Sequence, residues 1–373
     1  MTTTTTTTTM KEDSTEHSSL TSKSSSGSLI EEDGSSSAST ATTTAENQLL
    51  YRLSPEELEQ AARANIEYWK QKQQSQQQPL NDPSSCQEYS SLQKEQEQQR
   101  RLARPLAKRF LHSQKYNLSK AAQRLKENLK FRQKMQVDQV YTCFSTTRTP
   151  PRSSQEEQTE DQQPLHYDTT TNNDDEDSTS HSSFPLVEQQ LRHDLEAGHV
   201  YVQGYDREGR STVIFLPRQV PHHDSAEATL RPHIYTLERA IACSRCHNDV
   251  ETVNAIVDFA GFSIRQHAPP LSIGRVFLQT LRQHYAGVLH RIFLLNAPTS
   301  FVRLWNVLQS FVAPATREKI RFVNTTKTSL LQELYDPGQA TPWMMHGGHK
   351  TRTLDIREYL DETPFDQAFD DNK

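Results

Sequence analysis

No stretch of this 373-residue chain approaches the roughly 18 consecutive apolar residues of a membrane-spanning helix. Met1 is followed by eight threonines and not by an apolar segment, so no secretory signal is read at this end. Cysteine is scarce. Cys86, Cys143, Cys243 and Cys246 lie scattered without a disulfide framework, which predicts reduced thiols and a cytoplasmic setting. There is no glycine-rich phosphate loop and no Gly-x-Ser-x-Gly elbow, so an enzyme reading has no nucleophile or nucleotide motif to stand on. Neither an internal repeat nor a heptad array is present. Apolar residues make up only 33% of the chain and the mean hydropathy is -0.82.

What is present divides the chain. Residues 1–48 are almost entirely Thr, Ser and acids and cannot bury enough apolar surface to offset chain entropy, so a disordered tail is expected. Residues 49–99 read as one helix and a Gln-rich linker. Ser54-Pro55-Glu56-Glu57 offers an N-cap, a proline at the first helical position and a capping-box glutamate, and the helix is expected to reach about Lys72. Residues 100–140 form a basic helical block, with twelve Lys/Arg against the single acid Glu127 between Arg100 and Lys134. Its helices are predicted from Ala103 to Ser113 and after Asn117, the second with Leu118, Ala121, Ala122, Leu125 and Leu129 on one face. Residues 141–185 are an acidic insertion, with nine acids and only Arg152 as a base from Thr149 to Pro185. An acidic segment behind a basic block is expected to fold back and weaken docking to an anionic membrane. Residues 186–362 carry the sheet pattern, and 363–373 are a tail.

Within that last large segment, strands are predicted at 199–204, 211–216, 253–259, 291–295 and 320–323, with Asp206-Arg-Glu-Gly209 as the turn between the first two. Helices are predicted at 224–247, 271–285, 301–311 and 329–334. Strands alternating with helices imply crossovers, so the fold class is α/β with a largely parallel sheet and covering helices. Ala255-Ile-Val and Ile292-Phe-Leu-Leu are continuously apolar, as strands covered on both faces should be.

Some local patterns invite chemistry. Cys243-Ser-Arg-Cys-His247 has haem-attachment spacing, but no export route or second Cys/His cluster accompanies it, and it falls in a helix where cysteine acts as a small apolar residue. No metal and no cofactor is therefore expected. His222-His223-Asp224 reads as a solvated loop ending at an aspartate N-cap. Asp258, in an apolar strand, is expected to hydrogen-bond nearby backbone N–H groups. The basic block is a solvated helix face or a membrane-docking surface. A net charge of -6 and the lack of a recognised module argue against nucleic acid. Phe301, Leu304, Trp305, Leu308 and Phe311 form an apolar helical stripe behind the strand residues Phe293 and Leu295. By spacing alone that stripe describes ordinary core as well as the lid of a cavity.

Five segments, in order, resemble the CRAL-TRIO lipid-binding family. They are Leu106 to Asn117, Val200 to Arg210, Val257 to Ser263, Leu295-Asn-Ala-Pro298, and Phe311 to Val323. The resemblance covers most of residues 100–350 outside the acidic insertion. It implies a non-enzymatic module with a small helical N-terminal subdomain, in which a sheet floor and a mobile gate helix enclose one lipid. The gate is then Phe301–Phe311, and the lining is Phe293, Leu295, Phe301, Leu304, Trp305, Leu308 and Phe311. Thr316 and Lys319 are retained from the family's headgroup set. Its arginine pair falls at His112 and Gln114, and its glutamate at Gly287, so a phosphatidylinositol headgroup is not implied by the full set. The partners implied are a lipid (phospholipid or other hydrophobe), an anionic membrane surface met transiently, and a protein held through the N-terminal helix or the acidic insertion. The other function class is an adaptor that keeps the fold for protein interaction.

Overall fold

The computed structural model describes residues 43–76, 88–142, 144, 184–223, 225–248, 250–312, 314–323, 329–345, 348 and 355–361. The acidic insertion beyond residue 144, the first residues of the tail and the extreme C-terminus lie outside them.

The first layer is helical. It comprises α1 (43–50), α2 (Pro55–Arg63), α3 (Ile66–Gln76), α4 (Glu88–Ser113), α5 (Leu118–Lys134) and α6 (Val137–Thr142). Ser54 and Glu57 make the anticipated capping box at α2. The helix stops at Arg63, well short of Lys72. There Asn65 turns the chain by donating to the Leu102 carbonyl and accepting from Glu67 N, while Trp69 Nε1 donates to the Arg63 carbonyl. Helix α1 begins before residue 48 because Leu49 and Leu50 are buried in the same cluster as Leu58, Leu106, Phe110, Leu125 and Leu129. Helix α4 starts within the Gln-rich stretch, some fifteen residues before Ala103. Glutamine is a good helix former, so the absence of an apolar stripe does not stop it.

The second layer follows α7 (Phe184–Glu196). It contains β1 (Val200–Tyr205), β2 (Ser211–Phe215), α8 (Ala226–Asn248), β3 (Val253–Asp258), α9 (Ile264–His267) and α10 (Leu271–His284). Next come β4 (Leu289–Leu295), α11 (Thr299–Leu308) with a 3-10 turn Gln309–Phe311, α12 (Pro314–Arg317), β5 (Ile320–Val323), α13 (Ser329–Leu334) and α14 (Ile356–Asp361). The five strands lie in order β1-β2-β3-β4-β5, the first pair antiparallel and the rest parallel, which is the α/β class read from the sequence. The β1–β2 connection is the expected turn. Asp206 Oδ1 accepts from the backbone N–H groups of Glu208 and Arg210, and Gly209 takes φ +82. A register shift separates Val202 from Tyr205, and there Gly204 (φ +76) leaves room for the Gln339 carbonyl, which would stand 2.5 Å from a Cβ.

The two faces of the sheet differ. Ser211 bonds to Ala240 and Ser244 of α8, so Val213, Ala255, Val257, Ile292, Leu294, Ile320 and Phe322 share the α8 face through the strand register. Thr212 lies on the opposite face, its hydroxyl 2.9 Å from that of Tyr335. Ile214, Ile256, Phe293, Leu295 and Val323 share that second face, in one buried cluster with Leu331, Tyr335, Met344 and Met345 of the C-terminal segment.

Candidate functional site

Helix α11 lies over the β4–β5 end of the α8 face. Trp305 meets Phe322 edge-on at 6.4 Å between ring centroids, and Phe301 packs against Phe259 at 4.1 Å. The helix forms here because Pro298 starts it and the apolar residues 301, 304, 305 and 308 recur at helical spacing.

The sheet face beneath α11 is incompletely closed. Ala255, Val257, Ile292 and Ile320 are only half-buried, and Phe322 is 44% exposed. On the other face Phe293 and Leu295 are 0% exposed. Strand alternation is the cause: Phe293 and Leu295 pair with Ile256 and Asp258 and point into the cluster with Tyr335, away from α11. The lining expected from sequence therefore divides. Phe301, Leu304 and Trp305 are half-buried on α11, and Phe311 is 41% exposed beyond its end. The side chain of Leu308 lies outside the described residues. Ile292, Leu294 and Phe322, which the sequence reading did not name as lining, stand on the sheet face towards α11. The signal that finds them is period two along β4 and β5, counted from Ser211 through the register.

Thr316 and Lys319 are joined through one turn, Lys319 N donating to the Thr316 carbonyl at 3.1 Å. The Lys319 ammonium donates to the Leu289 carbonyl at the start of β4, and burial lowers its pKa below the usual lysine value. In this state it holds β5 to β4. His112 is exposed with its ring against Tyr116 (6.3 Å), and Gln114 donates to Ser113 Oγ. Gly287 takes φ +81 beside Arg109, whose Cγ would lie 3.4 Å from a Cβ there.

Asp258 behaves as expected, accepting from Ala260 N at 3.0 Å and from Asn296 Nδ2 at 2.8 Å, which fixes the two strand ends flanking α11. Cys243 is a buried apolar residue in α8, 1% exposed. His223 departs from the solvated loop expected of it. Its Nε2 lies 3.3 Å from Asp194 Oδ2 of α7, and Ser225 caps α8 in place of Asp224, which lies outside the described residues. His199 and His233 stand beside it, ring centroids 5.5 Å apart. Burial, then the neighbouring His233, pushes His199 down to about 3. Burial likewise pushes His233 down to about 4. Among the described residues no group of three His, Cys, Asp or Glu side chains is arranged to hold a metal ion. Among them, too, no helix is long and apolar enough to cross a membrane.

Residues 195–341 match the CRAL/TRIO domain family. The chain is 27% identical over 171 residues to the phosphatidylinositol/phosphatidylcholine transfer protein SFH4 of Arabidopsis thaliana, covering 42% of this chain and 27% of that protein. It is 28% identical over 156 residues to the phosphatidylinositol transfer protein CSR1 of Eremothecium gossypii, covering 41% and 34%. With the phosphatidylinositol transfer protein PDR17 of Saccharomyces cerevisiae it shares 26% over 160 residues, covering 41% and 45%. The chain thus spans less than half the length of these curated relatives. Among solved structures, that of Sfh5 superposes with a TM-score of 0.43 at 14% identity, over 68% of this chain and 77% of that one.

Proposed function

From the premise that this chain carries a CRAL/TRIO domain, we propose that it binds a single lipid between the sheet face of β3–β5 and helix α11 and exchanges it at membranes without catalysing a reaction. The relatives are phosphatidylinositol or phosphatidylcholine transfer proteins by name, which makes a phospholipid the first candidate. One observation carries the reading. Phe322 stands on a sheet face, opposite Trp305, yet is 44% exposed, while Phe293 and Leu295 on the other face of the neighbouring strand β4 are 0% exposed. An unfinished apolar surface between sheet and helix is what a removable hydrocarbon chain would complete.

The energetics follow. A two-chain lipid has about thirty methylenes, each worth about 0.8 kcal/mol out of water, so open exposure would cost on the order of 20 kcal/mol. The tails are apolar-solvated in protein and bilayer alike, so exchange is governed by the headgroup and by moving α11. Release of Lys319 from the Leu289 carbonyl would free its ammonium for a phosphate, with Thr316 in the next turn. Phe322→Gln tests the floor at a position exposed enough to tolerate a polar side chain. Transfer of a fluorescent phospholipid between vesicles is expected to fall at least tenfold with thermal unfolding little changed. Undiminished transfer by a folded variant would contradict the site.

A further inference from the structure

A small hole lies where the helical layer meets α8. It is walled by Asn65 after α2, Arg109 of α4, Arg132 of α5, and Glu238, Ile241 and Arg245 of α8. Three guanidinium groups and one carboxylate therefore line it. Its free volume of about 10 Å³ takes one water or one monatomic ion and is far below that of a lipid headgroup. Neither Thr316 nor Lys319, the headgroup candidates, lines it.

The carboxylate is already engaged. Glu238 accepts from Arg132 Nη1 at 2.7 Å and from Tyr285 OH at 3.0 Å. Arg132, 2% exposed, places its other Nη on Asp138 at 2.9 Å. The second acid acting on Arg109 is Glu251, which stands 4.0 Å from Arg245 instead. Gly287, packed beside the Arg109 stem, has no side chain with which to supply an acid. Arg109 makes no hydrogen bond and no ion pair among the described residues, and its guanidinium lies 5.9 Å from the centre of the Phe110 ring. Burial accordingly holds its pKa below the usual arginine value in spite of the two acids. In Arg109, Arg132 and Arg245 alike, Nε is shut off from solvent and lacks an acceptor.

Buried charges are ordinarily paired, and one left uncompensated is a costly fault in a fold. A water in the hole would offer two lone pairs and no charge, leaving donors over and Arg109 uncompensated. An anion accepts from every side and supplies the missing charge.

We infer that this hole binds one small inorganic monoanion of about chloride size, with Arg109 as its counter-charge, and that the ion ties the helical layer to α8. The inference stands apart from the lipid reading, since it concerns neither the sheet face of β3–β5 nor α11. An ion held between α4, α5 and α8 stabilises their docking, so unfolding should depend on which anion is present and not only on ionic strength.

Thermal unfolding of the full chain at fixed ionic strength, in sodium chloride or bromide against sodium gluconate, tests it. The midpoint is expected to be about 3 °C higher with the small anions and to saturate with their concentration. Arg109→Met should abolish the difference. Crystals of the wild type grown in bromide give a second measurement that needs no variant, and an anomalous bromide peak is expected between Arg109 and Arg132. Adding inorganic phosphate or glycerophosphoinositol should leave that peak in place. Equal midpoints in chloride and gluconate, an anion dependence kept by Arg109→Met, or a hole holding only water would each overturn the inference. Displacement of bromide by inorganic phosphate alone would overturn it in favour of a free-phosphate site, and displacement by glycerophosphoinositol in favour of a headgroup site.

Discussion

Several side chains owe their state to burial and not to identity. His233 bonds through Nδ1 to the Thr229 carbonyl and packs edge-on against Phe215 (5.1 Å) and Phe277 of α10 (4.9 Å). The titratable groups around it are His199 at the start of β1, His223 in the loop after β2 and Asp194 of α7. His284, stacked on Phe131 of α5 at 3.9 Å, is likewise pushed down to about 4 by burial. These folded values lie below the unfolded value of 6.5, so the neutral histidines contribute stability above pH 6.5 that is lost as pH falls towards about 4, and towards about 3 for His199. At one unit below 6.5 the loss is about 1 kcal/mol per histidine. Urea midpoints at about pH 7.5 and 5.5 should show it, and His233→Leu should shrink the difference by about a third. A pH-independent midpoint in the wild type would mean that these rings are not held neutral.

Among the elements, the sharpest joint is between the helical layer and the sheet domain. Arg132 of α5, 2% exposed, donates to Asp138 of α6 at 2.9 Å and to Glu238 of α8 at 2.7 Å. Glu238 also accepts from Tyr285 OH at 3.0 Å, just beyond α10. Four segments therefore share one buried polar cluster, beside a small hole lined by Arg109, Asn65 and Arg245. Removing one partner leaves buried charge behind, so Arg132→Leu is expected to cost about 3–5 kcal/mol in chemical denaturation. Adding Glu238→Gln to that variant should cost little more. A single-variant loss below about 1 kcal/mol would show that the helical layer is held by its apolar contacts alone.

The elements also differ in how legible they were. Strands 253–258 and 320–323 and helices 271–284 and 329–334 stand within a residue or so of their sequence reading, because periodicity and turn chemistry agree there. Helices α1, α7 and α14 were missed, being short or bounded by polar sequence, with their stability coming from contacts far along the chain. Tyr359 of α14 shows the reason. It accepts from Val202 N and lies 3.8 Å beneath the Arg239 guanidinium, and neither contact is visible in a local window. Helix α11 was legible as an amphipathic helix. Which residues of β4 face it was not, since a continuously apolar strand carries no period-two signal until a neighbour such as Ser211 sets the register.

Taken whole, the molecule is a sheet with one face packed through Ile214, Ile256, Phe293, Leu295 and Val323 on its C-terminal segment and the other left to α8, α10 and α11, the last of these resting on partly exposed apolar side chains. A chain of this kind should be found loaded, since an empty slot would leave Trp305 and Phe322 facing water. Native mass spectrometry of the intact protein, isolated without detergent, tests this most directly. The predicted result is a mass excess of one lipid per chain, lost on gentle activation and absent or reduced in Phe322→Gln. A uniformly lipid-free wild-type chain, folded and stable, would contradict the account.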